Sequence, residues 1–138
     1  MFATDNKTKK VIKGKSYMTQ NVNEIIEDTM KSYYEYIVKI ENGCTVISNA
    51  FIKKDFQTGV INLQFLSEGL SWLIEAENLM LIHSYQIESP IKQAIDLFKR
   101  INSAISNEDF EQVGKVLENE LKPLFKNASD WKFTKFVG

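Results

Sequence analysis

VNEIIEDTMKSYYEYIVKIENGCTVISNAF, Val22 to Phe51, is the stretch that decides the fold. Its apolar residues fall at Val22, Ile26, Met30, Tyr33, Ile37, Ile40, Cys44, Ile47 and Phe51. The steps are fours and threes with a mean of about 3.5, the spacing of a helix packed lengthwise along its neighbours. One long helix is expected from about residue 20 to 54. Asn42-Gly43 lies inside it. A mid-helix Gly costs about 1 kcal/mol against Ala, and Asn-Gly is also a turn signal. The apolar register nevertheless runs through the pair in phase, so the expectation is a continuous helix, kinked there if anywhere.

Downstream, Asp55-Phe56 opens a second helix, because an Asp side chain accepts hydrogen bonds from the free N–H groups of a first turn. The apolar seam continues at Phe56, Val60, Leu63, Leu66, Leu70, Leu73 and Met80. A second seam runs beside it at Phe65, Gly69, Trp72, Ala76 and Leu79, leaving a narrow polar strip of Gln64, Glu68, Ser71, Glu75 and Asn78. A helix this widely apolar touches several neighbours or a partner. Ser89-Pro90 marks a third helix, with Ser as cap and Pro at the first helical position. Asp109 and Gln112, at cap-box spacing, start a fourth. Pro123 bends or ends that helix, and a tail with Trp131, Phe133 and Phe136 either packs back or swaps onto a neighbour. The turn Ala50-Phe51-Ile52-Lys53-Lys54-Asp55-Phe56 resembles Ala104-Ile105-Ser106-Asn107-Glu108-Asp109-Phe110, a faint internal repeat or shared turn chemistry. Two such hairpins make an all-α, antiparallel four-helix bundle. The expected division is a flexible basic segment over 1–19 and a single helical domain over 20–138.

Composition limits the functions available. The chain has 138 residues, 43% of them hydrophobic, with only 6 Gly and 2 Pro, which favours helices over a loop-rich sandwich. The formal net charge of -1 supplies no field for nucleic acid or an anionic membrane. No run approaches the ~20 apolar residues of a membrane span. Lys7, Lys9, Lys10, Lys13 and Lys15 make the N-terminus locally basic, an arm for an acidic partner or simply a solvated tail, and no apolar stretch there reads as a secretory signal. Cys44, the single cysteine, forms no internal disulfide and fits a reducing, cytoplasmic setting.

Few residues suggest chemistry. His83 is the only histidine and has no Glu-x-x-His or Cys pair around it, so neither a metal nor another cofactor is expected, and His83 reads as a helix-end residue. Cys44 falls mid-helix on the apolar side, the setting of an inert packing thiol. Glu68 and Glu75 lie one heptad apart on the solvated strip. Glu77 takes a seam position where an apolar residue is expected. An unpaired carboxylate there is costly, so it reaches a tyrosine hydroxyl (Tyr33, Tyr34 or Tyr36) or a lysine, or else borders a groove. Gly69 and Ala76 flank Trp72 on one stripe and let a neighbouring helix approach closely, or form a slot with an aromatic wall for an amphipathic peptide.

The order of features resembles the flagellin export chaperone family. The resemblance covers roughly Tyr36 to Trp131 and rests on Glu41-Asn42-Gly43-Cys44-Thr45-Val46-Ile47 in a Gly-containing first helix, and on Ala104 to Phe110 through Leu121 and Trp131. It implies a small cytoplasmic helical bundle that binds the disordered end of a partner protein. Met18-Thr19-Gln20-Asn21 stands where that family carries a tyrosine and a Ser-Pro signature. FLSEGLSWLIEAENLM, Phe65 to Met80, is also similar to uncharacterised small helical proteins of Gram-positive bacteria. Taken together, the residues point to a non-enzymatic protein-binding or assembly module. Its expected site is Phe65, Gly69, Trp72, Ala76, Glu77 and Leu79, presented to a partner helix or to a second copy of the chain. The alternatives are a structural homodimer burying the same face and a small enzyme using Glu68, Glu75 or Glu77 with His83 and a tyrosine.

Overall fold

A computed structural model of the protein describes residues 21–136; the expected basic segment 1–19 lies outside them. The described chain is all-α apart from one short ribbon. Asn21 caps α1, Val22–Ile37, by accepting from the Asn23 N–H at 2.8 Å. Then come α2, Ile40–Ile52, and α3, Phe56–Ile82, the longest helix at 27 residues. A two-residue strand β1, Tyr85–Gln86, leads to α4, Ile91–Ser106. The last helical stretch is α5, Phe110–Val116, a π-helical turn Leu117–Leu121 and a short α6, Lys122–Leu124. A 3-10 turn, Ala128–Asp130, and β2, Thr134–Lys135, complete the described chain.

The expected first helix is two helices, so the architecture has five main helices rather than four. The break falls at Val38-Lys39, not at Asn42-Gly43, which sits inside α2. There the Lys39 N–H bonds back three residues to the Tyr36 carbonyl at 2.9 Å, and the tightened turn redirects the chain. Both turn residues keep near-helical dihedrals, so the seam survives in register: Tyr33, Ile37, Ile40, Cys44, Ile47 and Phe51 are all buried. The new direction separates two tasks. α1 packs on α3 and the 3-10 turn, whereas α2 packs on α3 and the C-terminal helices.

The faint repeat is a real structural correspondence. In the first hairpin the Asp55 N–H donates to the Ala50 carbonyl and the Lys54 N–H to the Phe51 carbonyl; in the second, Asp109 donates to Ala104 and Glu108 to Ile105. Lys54 and Glu108 both take positive φ, 64° and 56°. This is the double hydrogen bond of a Schellman helix end, with a non-glycine residue at the left-handed position each time. Asp55 and Asp109 then cap the next helix through the Thr58 and Gln112 N–H groups, each at 3.3 Å. At the same sequence offset, Ile37 and Ile91, Ile40 and Ala94, Cys44 and Phe98, and Ile47 and Ile101 are buried pairs. The two tips meet where Phe56 stacks on Phe110, ring centroids 4.3 Å apart.

Two further features, at Val60 and Pro90, depart from expectation, whereas Pro123 ends its helix as expected. Val60 is exposed and Gly59 takes its place in the buried seam of α3, against the ring of Phe51. Pro90 is the cap residue of α4 rather than its first helical residue, with Ser89 Oγ accepting from the Ile91 N–H at 3.4 Å. Pro123 sits just after the π turn; it has no N–H to continue the ladder, and the widened turn precedes the point where the helix ends. The tail packs back. Phe133 is buried against Tyr33, its N–H donates to Tyr34 Oη at 2.8 Å, Trp131 lies on Phe125, and β2 pairs antiparallel with β1. Across the last helical stretch, Arg100 makes a two-pronged ion pair with Glu120, and Lys122 Nζ donates to Thr45 Oγ1 at 2.7 Å.

Candidate functional site

α3 positions every residue of the expected site, because all six lie on it. Its buried face is Gly59, Leu63, Leu66, Leu70, Leu73, Ala76 and Met80. Ala76 therefore belongs to the core. Gly69 is covered by the chain itself: the ring and hydroxyl of Tyr36, at the end of α1, occupy the space where a Cβ on residue 69 would stand. Burial raises the Tyr36 hydroxyl pKa above its ordinary value. Leu79 is half-buried. Only Phe65, 61% exposed, and Trp72, 36% exposed, stand open to solvent. The slot expected along Gly69 and Ala76 is thus filled within the molecule, and the two aromatics project beside it.

The open apolar surface continues toward α2 instead. A groove of about 290 Å³ runs between α2 and α3, with Tyr36, Lys39, Gly43, Val46, Asn62 and Phe65 among the residues along it. Val46 and Ile61 add exposed apolar surface beside Phe65. Gly43 shapes the groove: a Cβ added there meets nothing within 4 Å. The fold has no steric need for glycine at this position, and the missing side chain leaves the groove open there. Sequence reasoning placed Phe65 and Trp72 but not Gly43, Val46 or Lys39. Their signal was faint, a helix-weakening Gly and one valine outside the buried seam.

Glu77 both reaches a tyrosine and borders a cleft. Tyr33 Oη donates to Glu77 Oε2 at 2.5 Å, and Ser89 Oγ donates to the same oxygen at 2.6 Å. The carboxylate thereby joins α1, α3 and the entry to α4. Burial first, and then Glu77, hold the Tyr33 hydroxyl protonated well above its usual range. Beside Glu77 and Ser89 a broad cleft of about 970 Å³ opens between α3 and the start of α4, with Ile74, Ile87 and Ile95 on its walls.

The remaining candidates are not drawn together. Glu68 and Glu75 are exposed. His83 caps the C-terminus of α3, as a helix-end residue does. Among the described residues no hydrogen bond joins it to any of the three glutamates, and no cluster of His, Cys, Asp or Glu is arranged to hold a metal ion. Cys44 is fully buried; burial, and then Glu118, push its thiol pKa up to about 12, which disfavours the reactive thiolate. No helix among the described residues is long and apolar enough to cross a membrane.

The amino-acid sequence matches a family model over most of the chain. Residues 28–130 match the model of the Domain of unknown function (DUF8042) family. The chain belongs to that family. The matched span begins inside α1 and ends with the 3-10 turn, so it takes in both hairpins and the α2/α3 groove. No curated protein and no solved structure matches the chain.

Proposed function

We propose that this DUF8042 domain is a non-enzymatic, cytoplasmic protein-binding module that docks the apolar face of a partner helix along α2 and α3. The observation that carries this reading is Phe65, exposed at the edge of a groove that Gly43 keeps open. Val46, Ile61 and Trp72 add further exposed apolar side chains on the same two helices, which supports a docking role for this face. Lys39 at one margin, with Glu68 and Glu75 on the exposed side of α3, supplies charges of both signs to orient a helix. A chaperone-like role, holding a partner segment until it is exported or assembled, is the form of this function that the sequence resemblance implies.

The test is a photo-crosslinking benzophenone amino acid at position 65 of the full chain, activated in cells of the source organism. The expected product is one dominant adduct with another protein, lost when Gly43→Leu fills the groove. Adducts between two copies of this chain would replace the partner with a homodimer on the same face. No adduct from a folded, soluble chain removes the reading.

A further inference from the structure

Where the two hairpin tips meet, a second cleft of about 640 Å³ opens, sharing no lining residue with the α2/α3 groove. Its volume lies within the roughly 300–1,000 Å³ of small-molecule sites. One wall is aromatic. Phe110 lies nearly parallel to both Phe51 and Phe56, at interplanar angles of 16° and 24°, and the Phe56 and Phe110 rings are only partly buried. Ile52, 71% exposed, stands at the mouth.

The floor of this cleft carries an unusual group. Ser48 is 2% exposed and, tyrosine aside, is the only buried polar side chain among the described residues. Its hydroxyl makes no hydrogen bond to any of them. Buried hydroxyls are ordinarily paired, and an unpaired one calls for an explanation. Ser48 lines the cleft, and Gly114 lies across from it; a Cβ on residue 114 would stand 3.5 Å from Ser48 Oγ. The absent side chain leaves the hydroxyl approachable from the aromatic wall.

The rim restricts what can enter. It carries Glu108, Asp109, Glu111 and Glu118 against Lys54 and Lys115. Lys115 pairs with Glu111 and Lys122 with Glu118, each at 3.5 Å, and Asp109 is committed to its helix cap, which leaves Glu108 and Asp109 against Lys54, an excess of one negative charge. The net acidic rim repels anions and tolerates neutral or cationic molecules. We infer that this cleft binds a small, flat aromatic molecule, neutral or cationic, whose ring packs on Phe56 and Phe110 and whose polar atom pairs with Ser48 Oγ.

The experiment is saturation-transfer NMR on the full chain with three probes: indole, benzamidine and benzoate. Indole and benzamidine should show transfer and benzoate should not. Ser48→Ala should weaken indole about five- to tenfold, the loss of one hydrogen bond. Gly114→Val, which fills the approach, should abolish transfer from both. Ser48→Ala should keep the native melting temperature, because Ser48 has no partner in the fold to lose. The inference is overturned if no probe shows transfer, if benzoate binds as well as the others, or if neither substitution alters binding. A marked fall in melting temperature for Ser48→Ala overturns it too, since the hydroxyl would then be serving the fold through a buried water.

Discussion

The hydroxyl of Tyr36 lies where the first side-chain atom of residue 69 would be. This contact explains why a glycine stands in the middle of the longest helix, where it costs about 1 kcal/mol against alanine. It also fixes how closely the end of α1 approaches α3, immediately before the chain turns at Val38-Lys39.

Gly69→Ala is therefore expected to destabilise the protein by about 1–3 kcal/mol through overpacking, despite its better helix propensity. Urea denaturation measures the change. In a Tyr36→Ala background the same substitution should be neutral or stabilising, because the obstructing ring is gone. Equal destabilisation in both backgrounds would show that Tyr36 is not the cause.

Gly43 gives the opposite sign. A Cβ there meets open space, so Gly43→Ala should stabilise α2 by up to about 1 kcal/mol, seen as a raised melting temperature. A fall in melting temperature would mean that position 43 is packed, and the groove would lose its floor.

The Tyr33–Glu77–Ser89 arrangement makes a prediction that separates pairing from packing. Tyr33→Phe leaves the carboxylate with only the Ser89 donor among the hydrogen bonds formed here, and should cost about 1–3 kcal/mol. Adding Glu77→Leu removes the stranded acceptor as well, so the double variant should recover part of that loss. A double-mutant cycle in denaturant measures the coupling. Additive losses would mean the two residues act independently.

At the hairpin tips, Lys54 and Glu108 hold a left-handed conformation that costs an L-residue roughly 1–2 kcal/mol. Lys54→Gly and Glu108→Gly should each stabilise the fold by about 0.5–1 kcal/mol, the strain relieved less the chain entropy that glycine adds. Because the two turns share their hydrogen bonds, the two gains should be similar and additive. A gain at one tip alone would show that the tips differ in energy despite their common geometry.

Much of this architecture is legible in the residues. The seam from Tyr33 to Phe51, the Asp caps and the repeated turn are all local patterns, and each has its counterpart in the structure. The break at Val38-Lys39 is not legible, because neither glycine nor proline marks it and its dihedrals remain near-helical. The ribbon of β1 and β2 is too short for any alternation to appear. On α3 the two apolar seams are adjacent, and periodicity cannot decide which one is buried when both are apolar. That choice depends on Tyr36 reaching Gly69 from a different helix. Ser48 is invisible for the same reason, since a serine beside the seam residue Ile47 shows nothing of the glycine that α5 brings opposite it.

Alkaline pH tests the buried core directly. Cys44 has an ordinary pKa of 9.0 and is pushed up to about 12 in the folded protein, chiefly by burial. Below pH 9 both folded and unfolded chains keep the proton, and stability is unaffected. Between about pH 9 and 12 the unfolded chain releases it while the folded chain holds it, so rising pH favours unfolding. One such group gives a slope of up to about 1.4 kcal/mol per pH unit. Tyr33, also raised above its ordinary value of 10.0, adds to the loss at still higher pH. Unfolding free energies from pH 8 to 10 should therefore fall in the native chain and fall less in Cys44→Ala, whose lower baseline stability is subtracted at pH 8. A parallel pH dependence in the two proteins would place Cys44 in contact with solvent and remove burial as the cause of its shifted pKa.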